Sequence, residues 1–534
     1  MDILLDLTVI FVAAAVMQLI MDKFNHPSVP AYIIAGLLAG TIISESDLLN
    51  LAQIGIAFLV FIFGLKYNPK NLKAEANATL GTSIIQMTFA GSIGFLMATL
   101  LGFDPNNAFY FAAAAAISSS LVGLELSEKA IHSNLLHGRL SESLHFIQDM
   151  VAFALIAITM ATTVESAINA LVYSALILGA AILFRDYIFE RLAKQTGGNH
   201  ELLTMASLTL LIGFIGLSEL LNISMVLGAF AAGIAASKFP YNIELLDTMG
   251  SIKDFFSAIF FVVLGALVTL PSQLVVASAT ALVVITMIIT PMITYLGLKY
   301  HGYDNRTALL TGLSLDQISE LVLIITIQGF LAGLITPVTF ESIILAATAT
   351  MLISSYTKKH EEQIYQTFTP KREERISFDL KDHIILVGHD VQGAKIAEAL
   401  EKKSKNYIVI ENDPEKVSSL REKDIKVVYG DIMDNITWRE ANYEKADLVI
   451  STVPSEKVNK RVLDLDKPDD KIVRAETSEK AIEYLNAGAL HTIIPDKAAN
   501  EKLLEHMEEI AENPKARENL RRESLLEFKK YLHQ

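Results

Sequence analysis

The sequence predicts a polytopic α-helical membrane domain of 13 spans, built as an inverted repeat, followed by a carboxyl-terminal α/β domain of Rossmann type. Three observations carry that prediction. Apolar segments of membrane-spanning length recur up to about residue 356. The basic residues before residue 357 fall on alternate loops only. From about residue 382 the pattern becomes strand, glycine turn, helix, strand. Composition agrees, since 52% of the 534 residues are hydrophobic and the mean hydropathy is +0.40. A formal charge of −15 leaves no basic footprint for nucleic acid. The absence of cysteine excludes disulfides, thiolate metal sites and a cysteine nucleophile.

The predicted spans run 3–21, 28–43, 51–66, 79–101, 108–124, 143–163, 166–184, 202–218, 220–237, 255–270, 272–297, 307–332 and 337–356. The opening "MDILLDLTVIFVAAAVMQLI" lacks a basic n-region and a small-residue cleavage site, so it reads as a retained first span. One set of loops holds Lys23, Lys66, Lys70, Lys73, Lys129, Arg139, Arg185, Arg191, Lys194, Lys238, Lys253, Lys299 and Arg306. The loops on the other side ("SESD", "GFDPNN", "TTVESAIN", "SELLN", "TLPSQ", "LITPVT") hold none. Positive charge stays on the cytoplasmic face, so the amino terminus faces out of a cell membrane and the carboxyl terminus faces the cytoplasm.

A weak internal repeat runs through this region. "VPAYIIAGLLAGTI" in span 2 resembles "SMVLGAFAAGIAAS" in span 9, and "IAFLVFIFGL" in span 3 resembles "SAIFFVVLGAL" in span 10. The polar interruption "ISSSLVG" in span 5 matches "LSLDQISE" in span 12. Each pair is seven spans apart, an odd number, so the halves insert with opposite orientation: spans 1–6 and 8–13, joined by span 7. Such a repeat with interrupted helices points to a secondary transporter whose site lies at the membrane midplane. The small-residue spacing of Gly36 and Gly40 reads as close helix packing and is assigned no chemistry.

The polar residues inside the spans are the candidate site. Asp149 sits in the apolar run "LHFIQDMVAF" beside Gln148, where a carboxylate costs at least ~2.5 kcal/mol on insertion scales. Ser118, Ser119 and Ser120 supply hydroxyl and carbonyl oxygens at an interruption that membrane-depth backbone tolerates only when protein or a wet cavity satisfies it. A lone carboxylate facing such donors takes either a proton or a monovalent cation, and that mutual exclusion is itself an exchange mechanism. In span 12, Asp316 and Glu320 share one helical face beside Ser314 and Gln317. Their expected work is to compensate the positive end of a half-helix.

These residues carry a resemblance. "PAYIIAGLLAG", "IGIAFLVFIFGL", the "SSS" break, "QDM", "LGAFAAG", "FFVVLGA" and "LDQISEL" make the chain similar, over almost its whole length, to Kef-type members of the monovalent cation:proton antiporter-2 family. The resemblance implies a homodimeric secondary transporter, not an enzyme, that exchanges potassium for protons across the bilayer. Relatives place Asp–Asp or Asn–Asp where this chain has Gln148–Asp149. With one carboxylate in the pair, and no Lys or Arg inside spans 10 or 11, the expected stoichiometry is 1:1 and electroneutral. Sodium remains open as the transported ion, because serine oxygens and one carboxylate do not by themselves select ion radius. A potassium channel gated by a similar cytoplasmic domain would need a carbonyl filter such as "TVGYG", which is not in the sequence. The family's glutamate after "FxxGL" is Lys66 here.

Domain limits follow: a transmembrane exchange domain at 1–356, a charged linker at 357–381, a nucleotide-binding regulatory domain at 382–505 and a helical tail at 506–534. The linker is expected to be helical near the membrane, with a break at Pro370. In "HIILVGHDVQGAKIAEALEKKSKNYIVIENDPEKV", Gly388 ends the first strand and Gly393 opens a helix whose amino terminus suits a phosphate. Glu411 closes the second strand, near the spacing for an acid on a ribose hydroxyl. "VVYGDIMD" with Asp431 and "ADLVISTVPSE" continue as third and fourth strands. This segment resembles the RCK/KTN (TrkA-N) domain of potassium transporters and channels, which implies a nucleotide surrounded by Glu411, Asp413 and Asp431. Asp390 stands where the fingerprint wants its second glycine, so its bulk and charge disfavour a pyrophosphate. AMP or another adenine nucleotide is the expected ligand, with NAD(H) still open. The tail reads as an amphipathic helix.

Overall fold

The architecture is that of a computed structural model, which describes residues 3–24, 26–40, 45–66, 76–120, 122–124, 126–127, 136–159, 163–195, 200–239, 241–368, 380–403, 405–433, 435–495 and 497. The chain forms two compact units that divide at residue 370. Helices make up the first. Among the described residues, six are long and apolar enough to cross a membrane: Asn77–Leu100, Leu136–Ile158, Val164–Lys194, Glu201–Leu220, Gln273–Tyr300 and Pro337–Lys359. A bent pair, Glu244–Gly250 with Ile252–Ala266 at 47°, makes up to seven. The other expected spans coincide with shorter apolar helices, such as Ser28–Ala39 and Met225–Ala236, or with helices broken midway.

Several helices outrun the apolar segments that announce them. Leu136–Ile158 begins seven residues before the expected start at 143, so Arg139 is helical. Tyr241–Ala266 begins before 255 and takes in Lys253, which pairs with Asp254 at 3.1 Å. Arg185, Arg191 and Lys194 continue the helix Val164–Phe184 through the π-helical turn Arg185–Phe189 into Glu190–Gln195. These charged turns are therefore helix ends and not loops. Backbone hydrogen bonding continues past the point where side-chain hydropathy stops.

Glycine decides two helix contacts. A Cβ on Gly36 would lie 1.9 Å from the Val262 carbonyl oxygen, and one on Gly265 would lie 2.0 Å from that of Ile33. In the same way, a Cβ on Gly64 would meet the Phe230 oxygen at 2.4 Å and one on Gly233 the Phe61 oxygen at 2.1 Å. Helix Ser28–Ala39 thus packs backbone to backbone on Tyr241–Ala266, and Glu45–Leu65 does so on Met225–Ala236.

Among its described residues, the second unit builds a six-stranded parallel sheet with helices. Its strands are β1 (His383–Val387), β2 (Tyr407–Glu411), β3 (Val427–Tyr429), β4 (Ala446–Ser451), β5 (Asp470–Arg474) and β6 (His491–Ile493), in the order β3-β2-β1-β4-β5-β6. Ile385 pairs with Ile408 on one side and Val449 on the other. The near-continuous apolar runs "HIILV" and "YIVIE" fit strands covered on both faces by crossover helices. Strand order reverses between β1 and β4, which opens a crevice at their carboxyl ends. β5 and β6 were not among the four expected strands, because "DKIVR" is charged at both ends and "HTI" is three residues long. Helix Glu361–Phe368 precedes the linker's Pro370; that residue and the predicted tail helix lie outside the described residues.

Candidate functional site

Two interrupted helices meet in the first unit. Helix Pro105–Ala116 ends at Ile117, whose backbone is extended, and helical geometry resumes at Ser120. Helix Asn305–Leu313 ends at Ser314, and Glu320–Leu331 starts after the extended Ser319. The extended stretches pair as an antiparallel bridge between Ser118 and Ile318. The Ser119 N–H donates to Gln317 O at 3.1 Å, and the Ser319 N–H to Ile117 O at 3.0 Å. Each break thereby satisfies backbone groups of the other, as membrane depth requires.

Side chains complete the junction. Gln148, fully buried, accepts the Ser118 N–H at 2.8 Å and donates to Gln86 Oε1 at 2.7 Å; Gln86 in turn donates to Ala116 O at 3.2 Å. The Ser118 hydroxyl donates to Leu315 O at 2.9 Å. Glu320, also fully buried, accepts the Ser119 hydroxyl at 2.5 Å on one oxygen and the Ser120 hydroxyl at 3.2 Å on the other. Its carboxylate therefore sits at the positive ends of two helical segments, its own and the one resuming at Ser120.

Asp149 differs from these groups. It is half-buried, its Oδ1 is buried and accepts no hydrogen bond from the described residues, among which Ser120 and Glu320 are the polar side chains that act on it. Asp316 is placed elsewhere. It lies past the carboxyl end of helix Asn305–Leu313, where the dipole is negative, and it accepts the Ser354 hydroxyl instead of facing a helix amino terminus. Sequence reasoning did not single out Gln86, Thr350 or Ser354, and named Gln317 only as a neighbour. Of these, only Gln86, an amide inside the apolar "SIIQMTF", offered a readable signal.

In the second unit Gly388 follows β1 with φ +85°, in the left-handed region, and the Cβ of any replacement would meet Val453 at 2.8 Å. Gly393 brings the helix Val391–Lys402 against that turn, since a Cβ there would stand 2.2 Å from the Gly388 oxygen. Asp390 caps this helix: its Oδ1 accepts the amides of Gln392 at 3.0 Å and Gly393 at 2.8 Å, and Arg474 lies 3.8 Å from its other oxygen. The chain's own carboxylate occupies the amides expected to hold a phosphate. Glu411 accepts the amides of His389 (2.7 Å), Asn412 (2.9 Å) and Asp413 (3.0 Å). Asp413 caps its own loop through the Lys416 amide at 3.4 Å, and Asp431 accepts the Met433 amide at 2.9 Å. All these acids follow carboxyl ends of β1, β2 or β3, along one edge of the sheet. Burial holds the His389 imidazole below its ordinary pKa, which keeps it neutral beside Glu411.

A helical membrane unit with two broken helices joined at a buried carboxylate, followed by a parallel-sheet unit, defines a secondary transporter with a Rossmann-like appendage. The chain belongs to the family described as "Sodium/hydrogen exchanger, transmembrane", which matches residues 8–359, and its residues 384–495 match the TrkA-N domain. It is 25% identical over 483 residues to the putative cation/proton antiporter YbaL of Escherichia coli K12, covering 83% of this chain and 85% of that one. The putative K(+) efflux antiporter KefB of Alkalimonas amylolytica is 25% identical over 526 residues, covering 92% and 79%. The glutathione-regulated potassium-efflux protein KefC of Enterobacter sp. 638 is 24% identical over 501 residues, covering 89% and 80%. The crystal structure of the TrkA-N domain of Escherichia coli ybaL aligns at 25% identity over 24% of this chain and 98% of that one, with a TM-score of 0.23. The protein is thus a membrane cation/proton antiporter and not an enzyme.

Proposed function

We propose that this antiporter exchanges potassium for protons electroneutrally, as a homodimer of 13-span subunits in the cell membrane, under control of an adenine nucleotide in the cytoplasmic domain. The observation that carries the ion site is Asp149 Oδ1, a buried acceptor with no hydrogen-bond partner among the described residues, beside a break whose Gln148, Ser119, Ser120 and Glu320 side chains are engaged. A proton or a monovalent cation satisfies that oxygen, and each excludes the other. Ser120 and the backbone of the Ser118–Ser120 break supply further oxygens, while Gln148 and Glu320 hold the break open and neutralise its helix ends. One carboxylate cycling between H⁺ and K⁺ carries the same charge in both directions, which makes the exchange electroneutral.

The two glycine-mediated contacts support the inverted repeat. Span 2 packs on span 10 and span 3 on span 9, so exchanging repeat partners turns one contact into the other. The crossing of spans 5 and 12 maps onto itself. The nucleotide reading rests on Glu411, Asp413 and Asp431 beside the crevice between β1 and β4, with Gly388 and Gly393 shaping the turn. Because Asp390 fills the helix amino terminus, a ligand read through its adenosine part, such as AMP, fits better than NAD(H).

The test is cation-driven proton movement in proteoliposomes, with potassium and then sodium added to wild type and Asp149→Asn, and membrane potential clamped or free. A potassium response that is lost in the variant and insensitive to potential is expected. A folded variant that exchanges at the wild-type rate refutes the Asp149 site, and a response to sodium alone reassigns the ion.

A further inference from the structure

Asp316, Gln317 and Ser354 are short of protons. The single hydroxyl proton of Ser354 faces two acceptors, Asp316 Oδ1 and Gln317 Oε1, the latter at 2.8 Å. The Gln317 amide has no freedom to turn a donor toward Ser354, because its Nε2 donates to Ser314 O at 3.0 Å and Ser119 O at 3.3 Å. Asp316 Oδ2 is buried and accepts no hydrogen bond from the described residues, and both Asp316 and Gln317 have no exposed surface. Carboxylate, amide oxygen and hydroxyl oxygen therefore converge, and among the described residues the Ser354 and Thr357 hydroxyls are the side-chain donors directed at the carboxylate.

Such a cluster is stable in the interior only with a proton or a cation on it, and at alkaline pH the cation is favoured. The groups facing Asp316 are Ser354, Thr357 and Lys358 from helix Pro337–Lys359, and the Lys358 ammonium pairs with Glu361 at 2.5 Å. One carboxylate offers one negative charge, which balances a monovalent ion and not a divalent one. The place is also right. Thr350 accepts the Ile318 N–H at the crossing, at 3.2 Å, and Ser354 is one helical turn further along the same helix.

We propose that Asp316, Gln317 and Ser354 form a second binding position for the transported monovalent cation, one turn from the crossing toward the Lys358 end of the last membrane helix. It rests on the antiport activity and not on the assignment of Asp149. A waypoint of this kind lets an ion leave the junction without returning to bulk water in one step, since transfer needs sites that are individually weak.

The experiment is equilibrium binding of radioactive rubidium and sodium to purified full-length protein at alkaline pH. It compares wild type, Asp149→Asn, Asp316→Asn and the double variant, each checked for a monodisperse chromatographic profile. Each single variant is expected to lose one of two bound ions per chain, and the double variant to bind none. Ser354→Ala keeps the charge, so it retains the ion with roughly tenfold weaker affinity. Unchanged stoichiometry in Asp316→Asn, or loss of all binding in Asp149→Asn alone, overturns the second position. Loss in Asp316→Asn with full retention in Asp149→Asn leaves it standing and removes the first.

Discussion

Replacing Gln148 with leucine tests whether the helix break is held by the amide beside the ion site or merely tolerates it. Gln148 accepts the Ser118 N–H at 2.8 Å and donates to Gln86 Oε1 at 2.7 Å, in a setting with no exposed surface. Leucine keeps the bulk and removes both bonds. The buried Ser118 N–H and Gln86 Oε1 are then unpaired, at a cost of about 1–3 kcal/mol each. Local opening around Ser118 becomes easier by that first amount, so its amide exchanges with deuterium about 5- to 150-fold faster. Peptides spanning residues 112–122, followed by hydrogen exchange with mass detection in detergent, report it directly. Gln148→Glu separates the contributions, because it keeps an acceptor for Ser118 and loses the donor to Gln86. Transport should fall with the leucine variant although Asp149 is untouched. Wild-type exchange at Ser118 together with wild-type transport in Gln148→Leu would refute the claim that this amide positions the break.

Three further outcomes follow from the cytoplasmic unit. Asp390→Gly frees the amides of Gln392 and Gly393, so titration calorimetry should show NAD or ADP-ribose binding at least tenfold tighter than in wild type, a gain of about 1.4 kcal/mol. Gly393→Val forces a Cβ into the Gly388 oxygen, 2.2 Å away, and should speed proteolysis of the β1 region with a loss of about 1–3 kcal/mol, whether or not nucleotide is present. His383 donates from Nε2 to Ala441 O at 2.8 Å while its buried Nδ1 has no partner among the described residues, and burial holds its pKa below 6.5. The unfolded chain therefore takes up the proton first as pH falls, so stability is full above pH 6.5 and declines below it. Once corrected for the slower intrinsic exchange at lower pH, the protection of β1 amides should fall between pH 7.5 and 5.5, and His383→Gln, which retains the donor, should flatten that trend.

What the sequence disclosed, and what it hid, has a physical pattern. The breaks at Ser118–Ser120 and Ser314–Glu320 were legible because runs of polar residues cannot belong to an uninterrupted apolar helix. Ser354 was not, because a single serine in a membrane helix ordinarily bonds back to its own turn, as Ser174 and Ser207 do here. Asp316 and Glu320 looked equivalent at i and i+4, yet the helix restarts only at Glu320, so Asp316 never shares its helical face. In the sequence Asp390 reads as bulk and charge that disfavour a pyrophosphate. An aspartate one residue before a helix is also a capping residue, and the structure shows that second property filling the site. Helix ends were missed wherever charged turns continued past the apolar run, as at Leu136 and Tyr241.

Hydrogen-bond accounting, more than the presence of carboxylates, separates the candidate ion positions from the scaffold. Glu320 is as buried as any acid in the membrane unit, but serine hydroxyls from the facing break meet both its oxygens, and it bridges two helix ends. An ion drawn to it would have to displace those donors and unfasten the crossing. Glu341 likewise accepts both the amide and the hydroxyl of Thr269 on one oxygen. Asp149 and Asp316 each retain a buried oxygen with no donor among the described residues, one beside the Ser118–Ser120 break and one a turn along the last helix. Neither oxygen is satisfied by the described residues, and a proton or a cation on each would satisfy it. An exchanger needs that condition at its binding positions and the opposite condition in the frame that holds them, and the crossing supplies both within a few residues.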